Sequence, residues 1–562
     1  MQTTHASSFA LGSPEILAEI FSFLAPGPPD EEALYAVKRA RKELQATLAR
    51  AARVCRAFSV PALSALWRVT DSIVLLLSVL PSVILKARLP PRDVGFYYGM
   101  TRDATDAEWI RFQEYAMRVR HLHARREDPP ISPTAWTFLA RRCGGNRALL
   151  PLLRTLEVKF VAPDAGPILL LSTNLRHLSI DFRAEPTTSS AAEAGAVNNV
   201  IIELLMQDII PSLLALRVRS DNVAVTGKIP YSTFAHLHVL EVAQPLVVDR
   251  DMLGALMAFP HLLRLVMLVE RLSLPEGVRL SPGFATLREL ELIGHPQELQ
   301  RFIHATTPPS IQSLALTIRS WTIDPIDETS GDILAIETLL RSVTRAVRRL
   351  KLSFATWIPP QGIDGFLLAA IELNDLTHLA INVEEPSFPS CVLFEDTFRD
   401  VVAAWPNLVE LTIDILRLSP DPDVISTDTF PTLQALILFL QHHPGLETLV
   451  LPFLDGVTSD LRRPFPEVDA VPLLGHGLKT LRISLVDDVG LPKLTAVAMA
   501  VDRLAPNLDL SAAQHQVWIH RCPREYSHWA DVEQVLFLLR TTRGERRTIW
   551  KPFSLNLSRV GL

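Results

Sequence analysis

The side chains with the types for metal or acid–base chemistry lie late in the chain. His515, His520, Cys522 and His528 follow one another closely, but their spacing matches no zinc pattern. The neighbouring Trp518 and Trp529 point instead to a packed C-terminal cap. His442 and His443 are adjacent, and adjacent side chains on a helix point apart, so they read as a surface loop and not as a ligand pair. Nucleophilic catalysis needs a hydroxyl or thiol beside a base, and phosphate chemistry needs a glycine-rich cradle. No GxSxG, Walker-type loop, HExxH, GxGxxG or kinase set occurs. The chain therefore reads as a binder without enzyme activity, cofactor or metal.

Charge and composition narrow what it binds. Of 562 residues, 55 are Lys or Arg and 61 are Asp or Glu, giving a net charge of -6 and no broad positive field for nucleic acid or an anionic membrane. The basic run Lys38, Arg39, Arg41 and Lys42 reads as a plain solvated helix face, and Arg540, Arg543, Arg546, Arg547 and Lys551 as a solvated tail. Cys55, Cys143, Cys391 and Cys522 lie far apart, which excludes a disulfide framework and fits a reducing compartment. The first residues lack the basic and apolar regions of a secretory leader, so the expected location is intracellular, cytoplasmic and/or nuclear. Residues 73–85 form the most apolar stretch, too short for a bilayer and interrupted by Pro81; they read as buried core.

The elements that could position a binding surface begin at Ser13-Pro14-Glu15. A hydroxyl cap, a proline at the first helical position and an acid near the positive helix end predict a helix start. Ile16, Leu17, Ile20, Phe21, Phe23 and Leu24 give it a wide apolar face, and it ends at Ala25-Pro26. Residues 30–50 predict an amphipathic helix. Residues 51–69, with Val54, Cys55, Phe58, Leu63, Leu66 and Trp67, predict two short helical turns around Pro61. Residues 106–119 carry Trp109, Phe112, Tyr115, Ala116 and Val119 on one face, a core stripe.

The ordered set PEILAEIFSFL, ARVCRAF and LWR resembles the F-box motif of fungal F-box proteins. That resemblance implies docking of a Skp-type adaptor, and through it cullin and RING subunits, in an SCF-type ubiquitin ligase. The positions matching the family's adaptor-facing set are Pro14, Ile16, Leu17, Ile20, Phe21, Leu24, Val54, Cys55, Leu66 and Trp67. Two departures stand out: Leu11-Gly12-Ser13-Pro14 replaces the opening Leu-Pro pair, and segment 30–50 is longer than the usual link.

From residue 153 onward a hexapeptide recurs: an apolar residue, two variable ones, Leu, one variable and an apolar one. Twelve copies run from LRTLEV at 153 to LKTLRI at 478, at intervals of 22 to 38 residues, and leucine makes up 89 of the 562 residues. Each copy predicts a short strand whose central Leu faces inward. Segments 191–209 and 329–347 between copies have helical spacing. The array resembles an irregular leucine-rich repeat domain. The expected fold is thus an N-terminal all-α F-box-like block followed by a curved α/β solenoid with parallel strands on its concave face. Expected domains are the block at 9–70 with its inserted helix 30–50, a helical junction at 71–150, the solenoid at 151–510, and a cap and tail at 511–562. Linkers are expected at 184–199, 322–332 and 418–429.

Residues flanking the inward leucines form the expected substrate face: Glu157, His177, Arg217, Glu241, Arg264, Glu289, Glu291, Arg349, Lys351, His378, Glu410 and Arg482. Their signs alternate between copies, suiting a protein surface of matching charge pattern. The resemblance implies a substrate-recognition subunit. The alternative is a recognition scaffold whose helical block only caps the array. Bare apolar side chains on the first helix favour docking, and burial of that helix against 86–150 favours a cap.

Overall fold

A computed structural model describes residues 13–27, 35–87, 96–123, 131–144, 148–160, 166–182, 212–220, 234–275, 277–280, 283–319, 329–343, 345–355, 362–383, 395–402, 404–415, 431, 433–452, 471–483, 491–510 and 529–542. The chain divides into two compact units. One comprises Met1–Leu246 with Ala258–Leu262, and the other Val247–Met257 with Leu263–Leu562.

The first unit opens with helices α1 (Pro14–Phe23), α2 (Tyr35–Ala51) and α3 (Arg56–Trp67). The two turns expected around Pro61 are one continuous helix, and α3 runs through the proline. Pro61 lies early in the second turn, and Ala57, whose carbonyl would accept its missing N–H, is exposed. Strand β1 (Val69–Thr70) and helix α4 (Ile73–Leu77) follow, then a hairpin of β2 (Val83–Ala87) and β3 (Phe96–Met100). Within the stretch expected to be core, Ile73, Leu76, Leu77 and Leu80 are buried, but Leu75, Ile84 and Leu85 are exposed. Two elements alternate with strands here, α5 (Asp106–Ala116) before β4 (His121–His123) and α6 (Pro133–Cys143) before β5 (Thr155–Phe160). Trp109 stacks on Phe112 with ring centres 5.1 Å apart, and Phe112, Ala116 and Val119 are buried, as the core stripe requires. The unit's strands continue with β6 (His177–Phe182), β7 (Ala215–Ser220) and β8 (Val239–Asp249), paired in parallel in the order β1, β4, β5, β6, β7, β8.

The second unit contains helix α7 (Arg250–Met257) and strands β9 (Arg264–Ser273), β10 (Glu289–Gly294), β11 (Ser313–Ile318), β12 (Arg349–Phe354), β13 (His378–Val383), β14 (Glu410–Ile415), β15 (Thr448–Leu451) and β16 (Thr480–Ile483), parallel and in chain order. Helices α8 (Pro296–Thr306), α9 (Thr329–Ser342), α10 (Gly362–Ala370), α11 (Glu395–Val402), α12 (Leu433–His442), α13 (Leu491–Leu504) and α14 (Trp529–Thr542) lie between or after them. Helix α9 takes in residues 329–332, which read as linker in the sequence; the expected helix at 191–209 and the linkers at 184–199 and 418–429 lie outside the described residues.

All twelve hexapeptides form strands, and burial alternates along them as the pleat requires. In β12, Leu350, Leu352 and Phe354 are buried while Arg349 and Lys351 are exposed. A second device locks neighbouring strands. The carbonyl of the residue just ahead of a strand accepts the N–H groups of two successive residues of the next copy. Arg154 O takes Arg176 N at 2.8 Å and His177 N at 3.0 Å, and Gln312 O takes Arg348 N at 2.8 Å and Arg349 N at 3.0 Å. Leucine-rich helix and strand faces close the core between, with Trp405, Phe302, Phe366 and Phe439 almost fully buried. Each unit is thus a mixed α/β stack on a parallel sheet.

Candidate functional site

The N-terminal block has two sides. Ser13 accepts the Ile16 N–H at 3.4 Å, and the Glu15 backbone N–H together with the Ser13 hydroxyl holds the Glu15 carboxyl below its usual range. On the inner side Leu17 and Phe21 pack with Leu48, Ala62 and Ala65, and Phe21 meets Phe58 edge-on at 5.5 Å. Leu24 and Leu66 are half-buried against the same cluster. Helix α2 therefore supplies core through Leu48. Its Arg41 is not part of a plain solvated face, since its guanidinium pairs with buried Asp71.

On the outer side Ile16 is 42% exposed, Ile20 46%, Phe23 79% and Val54 69%, with Pro14 and Cys55 exposed as well. Ile16, Ile20 and Phe23 follow i, i+4, i+7, one helix face. Phe23 was not among the expected docking positions, although that spacing marks it. Trp67 belongs elsewhere: its ring lies 5.0 Å from Tyr115 of α5. The ten expected docking residues thus divide. Leu17 and Phe21 build the block, and Leu24, Leu66 and Trp67 are half-buried in packing. Pro14, Ile16, Ile20, Val54 and Cys55 are exposed.

The expected substrate residues all lie at outward strand positions, in two ladders. In the first unit His123 Nδ1 lies 2.8 Å from Glu157 Oε2, and Arg217 pairs with Glu241 at 3.0 Å. Glu241 is buried, so it is a counter-ion and not a contact surface. Burial first, and then the Arg217 charge, pulls the His177 ring below its ordinary pKa. In the second unit Arg264 reaches Glu289 at 3.1 Å and Glu291 at 3.4 Å, and Arg482 lies 3.8 Å from Asp414. Glu410 accepts from the Thr412 hydroxyl at 3.4 Å, and the His378 ring is tied to Thr377 Oγ1 at 2.8 Å. Most of the alternating charge is thereby neutralised along the sheet. Arg349 and Lys351 are both exposed and are matched in register by Ser313 and Ala315 on one side and His378 and Ala380 on the other.

The histidine pair departs from the expected surface loop. His442 is exposed at the end of α12, but His443 is buried with its ring stacked on Phe439 at 4.3 Å. His476 accepts the Leu478 N–H on Nδ1 at 3.1 Å and donates from Nε2 to the His443 carbonyl at 2.8 Å, so both rings serve packing. Arg540 also differs from a solvated tail: it pairs with Asp502 at 2.8 Å and donates to the Leu508 and Ala505 carbonyls. The set His515, His520, Cys522, His528 and the tail residues Arg543, Arg546, Arg547 and Lys551 lie outside the described residues. Among the described residues no three His, Cys, Asp or Glu side chains gather as metal ligands, and no helix is long and apolar enough to cross a membrane.

The sequence also hid a feature of the first unit. Residues 119–124, VRHLHA, are a thirteenth copy of the hexapeptide, and its His121–His123 form β4, which places Arg120 and His121 in line with Arg154 and Thr155. No family model matches the chain, and no curated protein matches it either.

Proposed function

We propose that the chain is the substrate-recognition subunit of an SCF-type ubiquitin ligase: its first helices dock a Skp-type adaptor, joined in turn to cullin and RING subunits, while the outward sheet residues hold a protein substrate. The observation that supports this is the bare apolar face Ile16, Ile20 and Phe23 on a helix whose opposite face closes a small core of its own. Among the described residues that core is made with Leu48, Ala62 and Ala65 and takes in none of 86–150, which favours docking over a simple cap. Covering each bare side chain contributes on the order of 1 kcal/mol, given its half exposure. In this reading the chain makes and breaks no bond.

The test is co-purification of the tagged chain with a Skp-type adaptor. Ile16→Asp/Ile20→Asp is expected to abolish a stoichiometric adaptor band while the thermal transition by circular dichroism stays in place. Leu17 is unsuitable for this purpose, because an acid there enters the block's core. Retention of the adaptor by the double variant, or its absence from the wild type, overturns the reading and leaves a recognition scaffold without ligase linkage.

A further inference from the structure

Four arginines stand in a line along the first unit: Arg68, Arg120, Arg154 and Arg176 each sit one residue ahead of the matched positions of adjacent strands β1, β4, β5 and β6. Adjacent strands lie about 4.8 Å apart, so the line spans about 14 Å. Arg68, Arg154 and Arg176 are exposed and Arg120 is half-buried. What holds them is neutral: Arg120 donates to the Met117 carbonyl at 2.7 Å and Arg176 to the Ser212 carbonyl at 3.1 Å. Among the described residues none of the four forms an ion pair, whereas nearby Glu157 and Glu241 are engaged by His123 and Arg217. The crowding has an electrostatic consequence. Burial together with the Arg154 and Arg68 charges pulls Arg120 below its usual pKa, and the same two arginines contribute to lowering His121. An unneutralised cationic line persists here in a chain of net charge -6.

We propose that this arginine line docks an extended acidic segment, a run of Asp or Glu, of a protein partner. An extended chain advances about 3.4 Å per residue, so four or five residues cover the line. Flexible guanidinium stems absorb the mismatch between residue and strand spacing, and each can grip a carboxylate through two N–H groups. The excess of acid in the chain as a whole disfavours polyanions that need a broad positive field, while a short line suits a short acidic run. The inference is independent of adaptor docking: it concerns another surface, and acidic-peptide binding stands or falls whether or not an adaptor co-purifies.

The experiment is fluorescence anisotropy of a labelled peptide of about eight glutamates against the full chain. The wild type is expected to bind it, and to lose it as salt rises to about 0.5 M, where screening lengths shrink to a few ångströms. Arg154→Gln/Arg176→Gln is expected to weaken binding about tenfold, and Arg279→Gln/Arg345→Gln, an equal loss of exposed charge in the second unit, by no more than about twofold. Both pairs are exposed, and circular dichroism checks that each variant is folded. No binding by the wild type, or equal binding by the Arg154/Arg176 variant, overturns the proposal. So does oligo-uridine displacing the glutamate peptide at equal charge, which would reassign the line to a phosphate backbone.

Discussion

At the scale of single residues, His121 reports the field around it. Its ring bonds to Thr155 Oγ1 at 3.0 Å and its pKa falls from 6.5 to about 4, first through burial and then through Arg68, His123, His177 and Arg154. The folded state thus prefers neutral His121, and the unfolded chain binds the proton more readily between these values. Stability therefore falls as pH drops from 6.5 towards 4. Arg154→Gln is expected to raise the His121 pKa in an NMR titration and to shrink that acid loss; an unmoved value would strike Arg154 from the causes. Arg154 and Arg176 were visible in LRTLEV and LRHLSI as the same position of two copies. Arg68 was not, because β1 is only two residues long and carries no full hexapeptide.

Elements were legible where local chemistry dictates them. Thr105 and Glu108 form a reciprocal capping box that starts α5, with Arg102 holding the Glu108 carboxyl down at about 2, and the Thr-Asp start marks this helix in the sequence. Strand positions were legible because the inward leucines recur. Contacts between neighbouring copies were not. Gly294 ends β10 where a Cβ would strike the Val269 carbonyl of β9, a closeness no local pattern encodes. Gly294→Ala is expected to destabilise the chain by about 1–3 kcal/mol through overpacking, read as a lowered thermal midpoint. An unchanged midpoint would mean β9 yields at that point.

At the scale of the whole molecule, composition pointed to a large leucine-built core, and the fold class followed from the repeated hexapeptide. The ends did not. The arginine-rich C-terminal sequence looks solvated, yet Arg540 turns inward to Asp502 at 2.8 Å while Trp529, Val532 and Leu536 bury the same helix. A charge run conceals which member faces the core. Arg540→Ala leaves Asp502 buried without this partner and is expected to cost about 3 kcal/mol. Hydrogen exchange should show it as faster exchange in α13 (Leu491–Leu504), with the first unit's amides unaffected. Uniform acceleration across both units would count against a local role.

The paired acceptance of two N–H groups by the carbonyl ahead of a strand, seen from Arg68 to Glu447, uses main-chain groups. Alignment of a strand with its neighbour therefore asks nothing of the connection between them, and the twelve copies start anywhere from 22 to 38 residues apart. Lengthening such a connection is thermodynamically mild, about 0.6 kcal/mol per doubling. Genetic duplication or loss of one strand with its connection would leave the surviving neighbours able to align as before, so this architecture can change length and diversify its outward side chains without refounding its core.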